Sequence, residues 1–140
     1  MRLTVISLGA GVQSSTMALM ANEGLITPMP TCAIFADTQN EPKYIYEYLD
    51  YLKGILKYPV HTVTKGNIKE DMLKPTTKGY TFPTAPFYTL KNGKKGMVMR
   101  QCTNDYKIQV IRKKIRELLG LKRYQHVKKD MFVEQWIGIS

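Results

Sequence analysis

Between Leu3 and Gly24 the chain changes its period, and that change constrains the fold more than any other feature. A β-branched apolar run, Leu3-Thr4-Val5-Ile6-Ser7-Leu8, stops at Gly9. A helix-forming segment from Ser14 to Asn22 follows, rich in Met, Ala and Leu and closed by Gly24. A continuous apolar run of this length reads as a strand buried on both faces, and such strands belong to parallel sheets. The pattern then repeats. Thr31–Ala36 is a second apolar run, Asn40 or Glu41 opens a helical stripe through Lys53, and Val60–Val63 is a third strand. Strand–helix–strand–helix–strand at these lengths predicts a three-layer α/β sandwich with a parallel, Rossmann-like sheet.

The rest of the chain is less regular. Pro75–Gly96 carries three prolines and several aromatics, and reads as an excursion with a hairpin turn at Asn92-Gly93. Asn104–Leu119 is the clearest amphipathic helix, with Ile108, Ile111, Ile115 and Leu118 on one stripe. Phe132–Ile139 is a further strand, and its exposed apolar side around Trp136 predicts a second copy or another polypeptide against it. The whole of 1–140 reads as one domain.

Charge and cysteine content narrow the classes of function. Lys plus Arg number 21 against 11 Asp plus Glu, a formal charge of +10. Nine of the basic residues fall between Lys107 and Lys129, so anionic ligands are favoured, nucleic acid among them. Cys32 and Cys102 stand far apart with no CxxC, against a disulfide scaffold or zinc site and in keeping with a reducing cytoplasm. His61 and His126 have no ligand-spaced neighbours and read as structural. Of the aromatic group Tyr80, Phe82, Phe87 and Tyr88, covering a core edge is the expected role and base stacking the alternative. No apolar run reaches the ~20 residues that a membrane helix needs.

The segment Ser7-Leu8-Gly9-Ala10-Gly11-Val12-Gln13-Ser14-Ser15-Thr16 joins the first strand to the first helix. Its glycines permit unusual backbone angles and close approach of a ligand, and the helix start offers unpaired N–H groups to an anion. Phosphate binding is the expectation. A Walker loop would need Gly-Lys-Ser/Thr, which is absent; a dinucleotide fingerprint would need a third glycine where Ser14 stands. Asp37, at the end of the second strand, suits a hydrogen bond from a ribose or adenine, or a metal held through water.

Gly9 to Ser14, as Gly-Ala-Gly-Val-Gln-Ser, resembles the pyrophosphate-binding loop (PP-loop) of the adenine nucleotide alpha-hydrolase-like superfamily. That superfamily includes ATP pyrophosphatases and phosphoadenosine phosphosulfate (PAPS) reductases. Phe35-Ala36-Asp37-Thr38-Gln39-Asn40-Glu41 is similar to the reductases' second-strand segment, and Arg100–Ile108 to their Cys-containing segment before the basic helix. The flavour is that of PAPS-reductase-like proteins of phages and other mobile elements. The resemblance implies strand order 3-2-1-4-5 and a site in which Ser7, Leu8, Gly9, Ala10, Gly11, Gln13, Ser14, Ser15, Phe35, Ala36 and Asp37 bind an adenine nucleotide, ATP or PAPS. Arg100, Cys102 and Lys107 are the implied catalytic residues. If the chain is an enzyme, it would cleave the nucleotide at the α-phosphate, as in adenylation, or transfer sulfur.

Two departures matter: Gly9 replaces the family's first Ser, and Gln13 its Asp. Gln13 offers no carboxylate to a magnesium ion, and two cysteines are too few for a four-iron cluster. The family's C-terminal segments do not follow Ser140, so a nucleotide-binding core without its second half is expected. The alternative is a catalytically incomplete module that binds nucleotide or nucleic acid and acts through a partner.

Overall fold

The computed structural model describes residues 1–73, 88–97 and 103–139. Strands β1 (Arg2–Leu8), β2 (Cys32–Asp37) and β3 (Val60–Thr64) alternate with helices α1 (Val12–Asn22) and α2 (Lys43–Ile55). A short helix α3 (Ile68–Leu73) and a hairpin of β4 (Tyr88–Lys91) and β5 (Lys94–Met97) come next. A π-helical turn (Asn104–Ile108) runs into α4 (Gln109–Leu118), and β6 (Phe132–Ile137) is the last strand.

The main sheet has the order β3-β2-β1-β6 and every pairing is parallel. Val5 lies opposite Cys32 in β2 and opposite Gln135 in β6, so β1 is the central strand. The expected 3-2-1 order holds, with a fourth parallel strand beyond β1; no fifth strand joins this sheet among the described residues.

Side-chain alternation along the strands makes the three layers. Ile6 and Leu8 of β1 with Ala33 and Phe35 of β2 pack against Ala18 and Ala21 of α1 and Leu49 and Leu52 of α2. Leu3 and Val5 with Cys32, Ile34 and Ala36 face the other way, onto Ile111 and Ile115 of α4 and Leu119 after it. Both faces of β1 and β2 are thus buried along most of their length, which is why apolar residues dominate there without a strict alternation with polar ones.

Element boundaries differ from expectation for local reasons. Helix α1 starts at Val12 because Gly11, in extended backbone, serves as its N-cap. Helix α2 starts only at Lys43: Pro42 is extended, and a proline disfavours helical backbone at the residue before it, here Glu41. The hairpin turns at Asn92 and Gly93, both at positive φ, as a two-residue type I′ connection requires. The helix expected over Asn104–Leu119 is present, but its first turn is π rather than α. Of the excursion, residues 74–87 lie outside the described residues, including Tyr80, Phe82 and Phe87; Tyr88 is exposed at the start of β4. No helix among the described residues is long and apolar enough to cross a membrane.

Candidate functional site

The loop after β1 is built differently from a simple glycine turn. The residue at positive φ is Ala10 (φ 52°), not Gly9 or Gly11, and its side chain is buried. A Cβ on Gly9 would make only ordinary contact with Ser14 Oγ, at 3.7 Å, and one on Gly11 would meet nothing within 4 Å. The glycines are therefore not demanded by backbone strain. Ser14 braces the loop: its Oγ accepts the Gly9 N–H at 3.1 Å and donates to the Gly11 carbonyl at 3.4 Å. No side chain caps the N-terminus of α1 and no acidic residue lies in its first turn, so its positive end is left uncompensated. Ser15 sits one residue deeper, and its buried Oγ has no hydrogen-bond partner among the described residues.

This loop floors a cleft of about 410 Å³ at the carboxyl ends of β1, β2 and β6. Ser7, Leu8, Gly9, Gly11, Gln13 and Ser14 line it from the loop, and Phe35 and Ala36 from the end of β2. The position follows from topology. After β1 the chain builds β2 and β3 on one side and returns to place β6 on the other, so the connections diverge above β1 and leave a crevice there.

Lys107 reaches the cleft from the π-helical turn, together with Thr103 and Ile108. The turn is anchored by Tyr106, whose ring is 1% exposed and whose hydroxyl donates to Asp71 Oδ2 of α3 at 2.7 Å. Lys65 Nζ lies 4.9 Å from the centre of that ring and 3.8 Å from Asp105. Burial first, then the bond to Asp71, pushes the Tyr106 hydroxyl well above its usual range, so it stays a donor. Such one-turn π segments commonly mark functional positions in helices.

Among the acids, Glu41 and not Asp37 lines the cleft. Asp37 Oδ1 accepts the Gln39 N–H at 2.7 Å and the Tyr46 hydroxyl at 2.8 Å, which makes it the organiser of the β2–α2 connection. Gln39 itself is held at positive φ. Burial, followed by the bond to Asp37, raises the Tyr46 hydroxyl as well. Glu41 Oε1 accepts from the Thr38 hydroxyl at 3.0 Å.

Nine of the fourteen residues expected at the site therefore meet around one cleft: Ser7, Leu8, Gly9, Gly11, Gln13, Ser14, Phe35, Ala36 and Lys107. Ala10, Ser15 and Asp37 belong to the same loop, helix start and strand end without lining the cleft. Arg100 and Cys102 lie outside the described residues. The wall that sequence reasoning missed is β6. Gln135, Ile137 and Gly138 complete the cleft, and Gln135 Nε2 donates to Ser7 Oγ at 2.6 Å. No local motif signals this wall; only the pairing of β6 with β1 brings it there.

Among the described residues no group of three or more His, Cys, Asp or Glu is placed to hold a metal ion. Cys32 is buried in the core, which pushes its thiol up, and takes no part in the cleft. His126 is exposed on another face and His61 is part-buried on β3. Comparison of the chain with protein-family models, curated proteins and solved structures gives no match in any of the three. Fold and cleft together define an α/β protein with a parallel sheet and a crevice at the carboxyl ends of its strands.

Proposed function

We propose that the cleft binds an adenine nucleotide, with its phosphates at the N-terminus of α1, in the manner of the PP-loop proteins that the Gly9–Ser14 segment resembles. One observation carries the reading: an uncapped helix start and Lys107 line the same crevice. Backbone N–H groups of the first turn would take phosphate oxygens, while Lys107 supplies a full positive charge. Gly11 leaves the backbone bare where an anion must approach. Phe35 and Ala36 offer an apolar wall for a base, and Glu41 is the carboxylate within the cleft able to accept from a ribose hydroxyl.

In such a site the chemistry would be attack of a nucleophile on the α-phosphorus, as in adenylation. A bond forms to that phosphorus, the bond to the bridging oxygen breaks, and pyrophosphate leaves with its added charge on the helix start and Lys107. A PAPS-type nucleotide would use the same cradle for sulfuryl transfer: a nucleophile bonds to the sulfur, the bond from sulfur to the phosphate oxygen breaks, and the adenosine bisphosphate leaves. Calorimetric titration with ATP, AMP and PAPS tests the reading. At least one should bind, and Lys107→Gln should weaken it about 10-fold or more, the scale of a charged hydrogen bond. A folded sample that binds none of the three refutes it.

Gln13 favours a second version, binding without turnover. Its neutral amide lines the cleft where the PP-loop pattern has a carboxylate. Nucleotide binding with no pyrophosphate release, with and without added magnesium, would establish that version over the catalytic one.

A further inference from the structure

On the face of α4 away from the sheet, the basic residues left off the apolar stripe are gathered with the segment that follows the helix. Together they line an open groove of about 1080 Å³. Arg112, Lys113, Lys122 and Arg123 are exposed along it. Arg116 does a different job: its guanidinium donates to the carbonyls of Lys122 and Gln125, at 3.1 and 2.7 Å, and fastens the segment to the helix. The one carboxylate in the groove, Glu117, is held by Lys114 at 2.8 Å, so its charge is offset.

The fastened turn presents Tyr124. Its backbone is left-handed (φ 64°), a conformation that costs a bulky residue about 1 kcal/mol or more and persists only where the surroundings enforce it. The ring it holds is 81% exposed, with the Arg123 guanidinium 4.9 Å from its centre. An aromatic ring bared in a field of cations is the arrangement that grips a sugar–phosphate chain while stacking one of its bases.

We propose that this groove binds single-stranded nucleic acid, with phosphates on Arg112, Lys113, Lys122 and Arg123 and a base on Tyr124. A duplex keeps its base faces covered and has nothing to offer the ring. An acidic peptide would satisfy the cations but not Tyr124. The proposal is independent of nucleotide binding in the cleft, although Ile108 and Ile111 of the cleft precede and interleave with the groove residues Gln109 and Arg112.

Fluorescence anisotropy with labelled oligo-dT and oligo-U of about ten nucleotides tests it, beside the corresponding duplex and a poly-glutamate peptide. Binding of at least one single strand is expected, and the two arms decide between DNA and RNA. With about four phosphates neutralised, affinity should fall by about 50-fold from 50 to 200 mM salt. Tyr124→Asn, which tolerates the left-handed backbone but removes the ring, should weaken binding by about 5- to 100-fold. Lys122→Gln with Arg123→Gln should make the salt dependence shallower, whereas Lys43→Gln, on the opposite layer, should match the unaltered protein. The proposal is overturned if neither single strand binds at low salt, if duplex or poly-glutamate binds as tightly, or if Tyr124→Asn binds as well as the unaltered chain.

Discussion

Gly138 and the Ser14 amide stand so close that a methyl group on Gly138 would lie 2.8 Å from the Ser14 nitrogen and 2.9 Å from Gln13 Cβ. The end of β6 is thereby pressed onto the first turn of α1, and the two share the cleft wall. Gly138→Ala should force them apart. Overpacking of this kind costs about 1–3 kcal/mol, visible as a lower urea midpoint, and nucleotide affinity should drop with it. A variant with unchanged stability and affinity would show that the contact is not needed.

Gly11 is the opposite case. Its backbone suits any residue, and a Cβ there points into open space. Asp is at least as good an N-cap as Gly, so Gly11→Asp should keep or slightly raise the melting temperature. Its carboxylate would stand where a phosphate is proposed to sit. Loss of ATP binding in a fully stable protein is the expected result, and undiminished binding would move the phosphates elsewhere.

Tyr106 should act on Lys107 from behind. Removing its hydroxyl with Tyr106→Phe deprives Asp71 of a 2.7 Å donor, at a cost of about 1 kcal/mol or somewhat more. The π-helical turn then loses a tether, and a several-fold weaker nucleotide affinity is expected by calorimetry. Lys65→Gln, which removes the cation over the ring, should shift affinity in the same direction.

Alkaline pH should destabilise the protein through Tyr58, whose hydroxyl donates to the Ala18 carbonyl at 2.8 Å. Burial pushes its pKa up to about 12, against about 10 in the unfolded chain. Below pH 10 both states keep the proton. As pH rises from about 10 to about 12 the unfolded chain ionises first, so about 2–3 kcal/mol of stability is lost across that window. Urea midpoints for the unaltered chain should fall there, and Tyr58→Phe should flatten the fall.

The outer edge of β6 has no neighbouring strand among the described residues. Trp136 is part-buried against the core, and its Nε1 donates to Glu134 Oε1 at 2.9 Å. Association near Trp136 is therefore expected through the strand's backbone edge, flanked by exposed Phe132 and Ile137, and not through the indole. Light scattering should show mass rising with concentration, and Phe132→Lys should suppress it. A clean monomer at high micromolar concentration would remove this expectation.

The central strands were legible because burial on both faces makes β1 and β2 predominantly apolar and β-branched without a strict alternation. The type I′ turn was legible because Asn92-Gly93 satisfies two positive φ angles by itself. The π-helical turn was not, since Ile108, Ile111 and Ile115 keep a helical stripe whether or not the first turn is widened. The positive φ of Ala10 was not legible, because the glycines on either side offer themselves for the unusual angle. Asp37 was legible as the acid at the end of β2, whereas the bonds of Tyr46 and Gln39 to its Oδ1, and the place of Glu41 on the cleft, come from the fold of the β2–α2 connection. Gly138 has its reason for being glycine in a helix start from the other end of the sequence, and no local pattern encodes that.

The pairing of Ser7 with Ile137 makes the cleft a late structure in the life of the chain. During synthesis the Gly9–Ser14 loop emerges early and can wait on β1, β2 and α1, but its last wall arrives only when β6 inserts beside β1. Contacts so distant in sequence are slow to form. A ligand spanning the loop and β6 would bind the finished fold alone, and would pull a partly folded population toward it by mass action. Occupancy of the cleft would thus double as a signal that folding is complete.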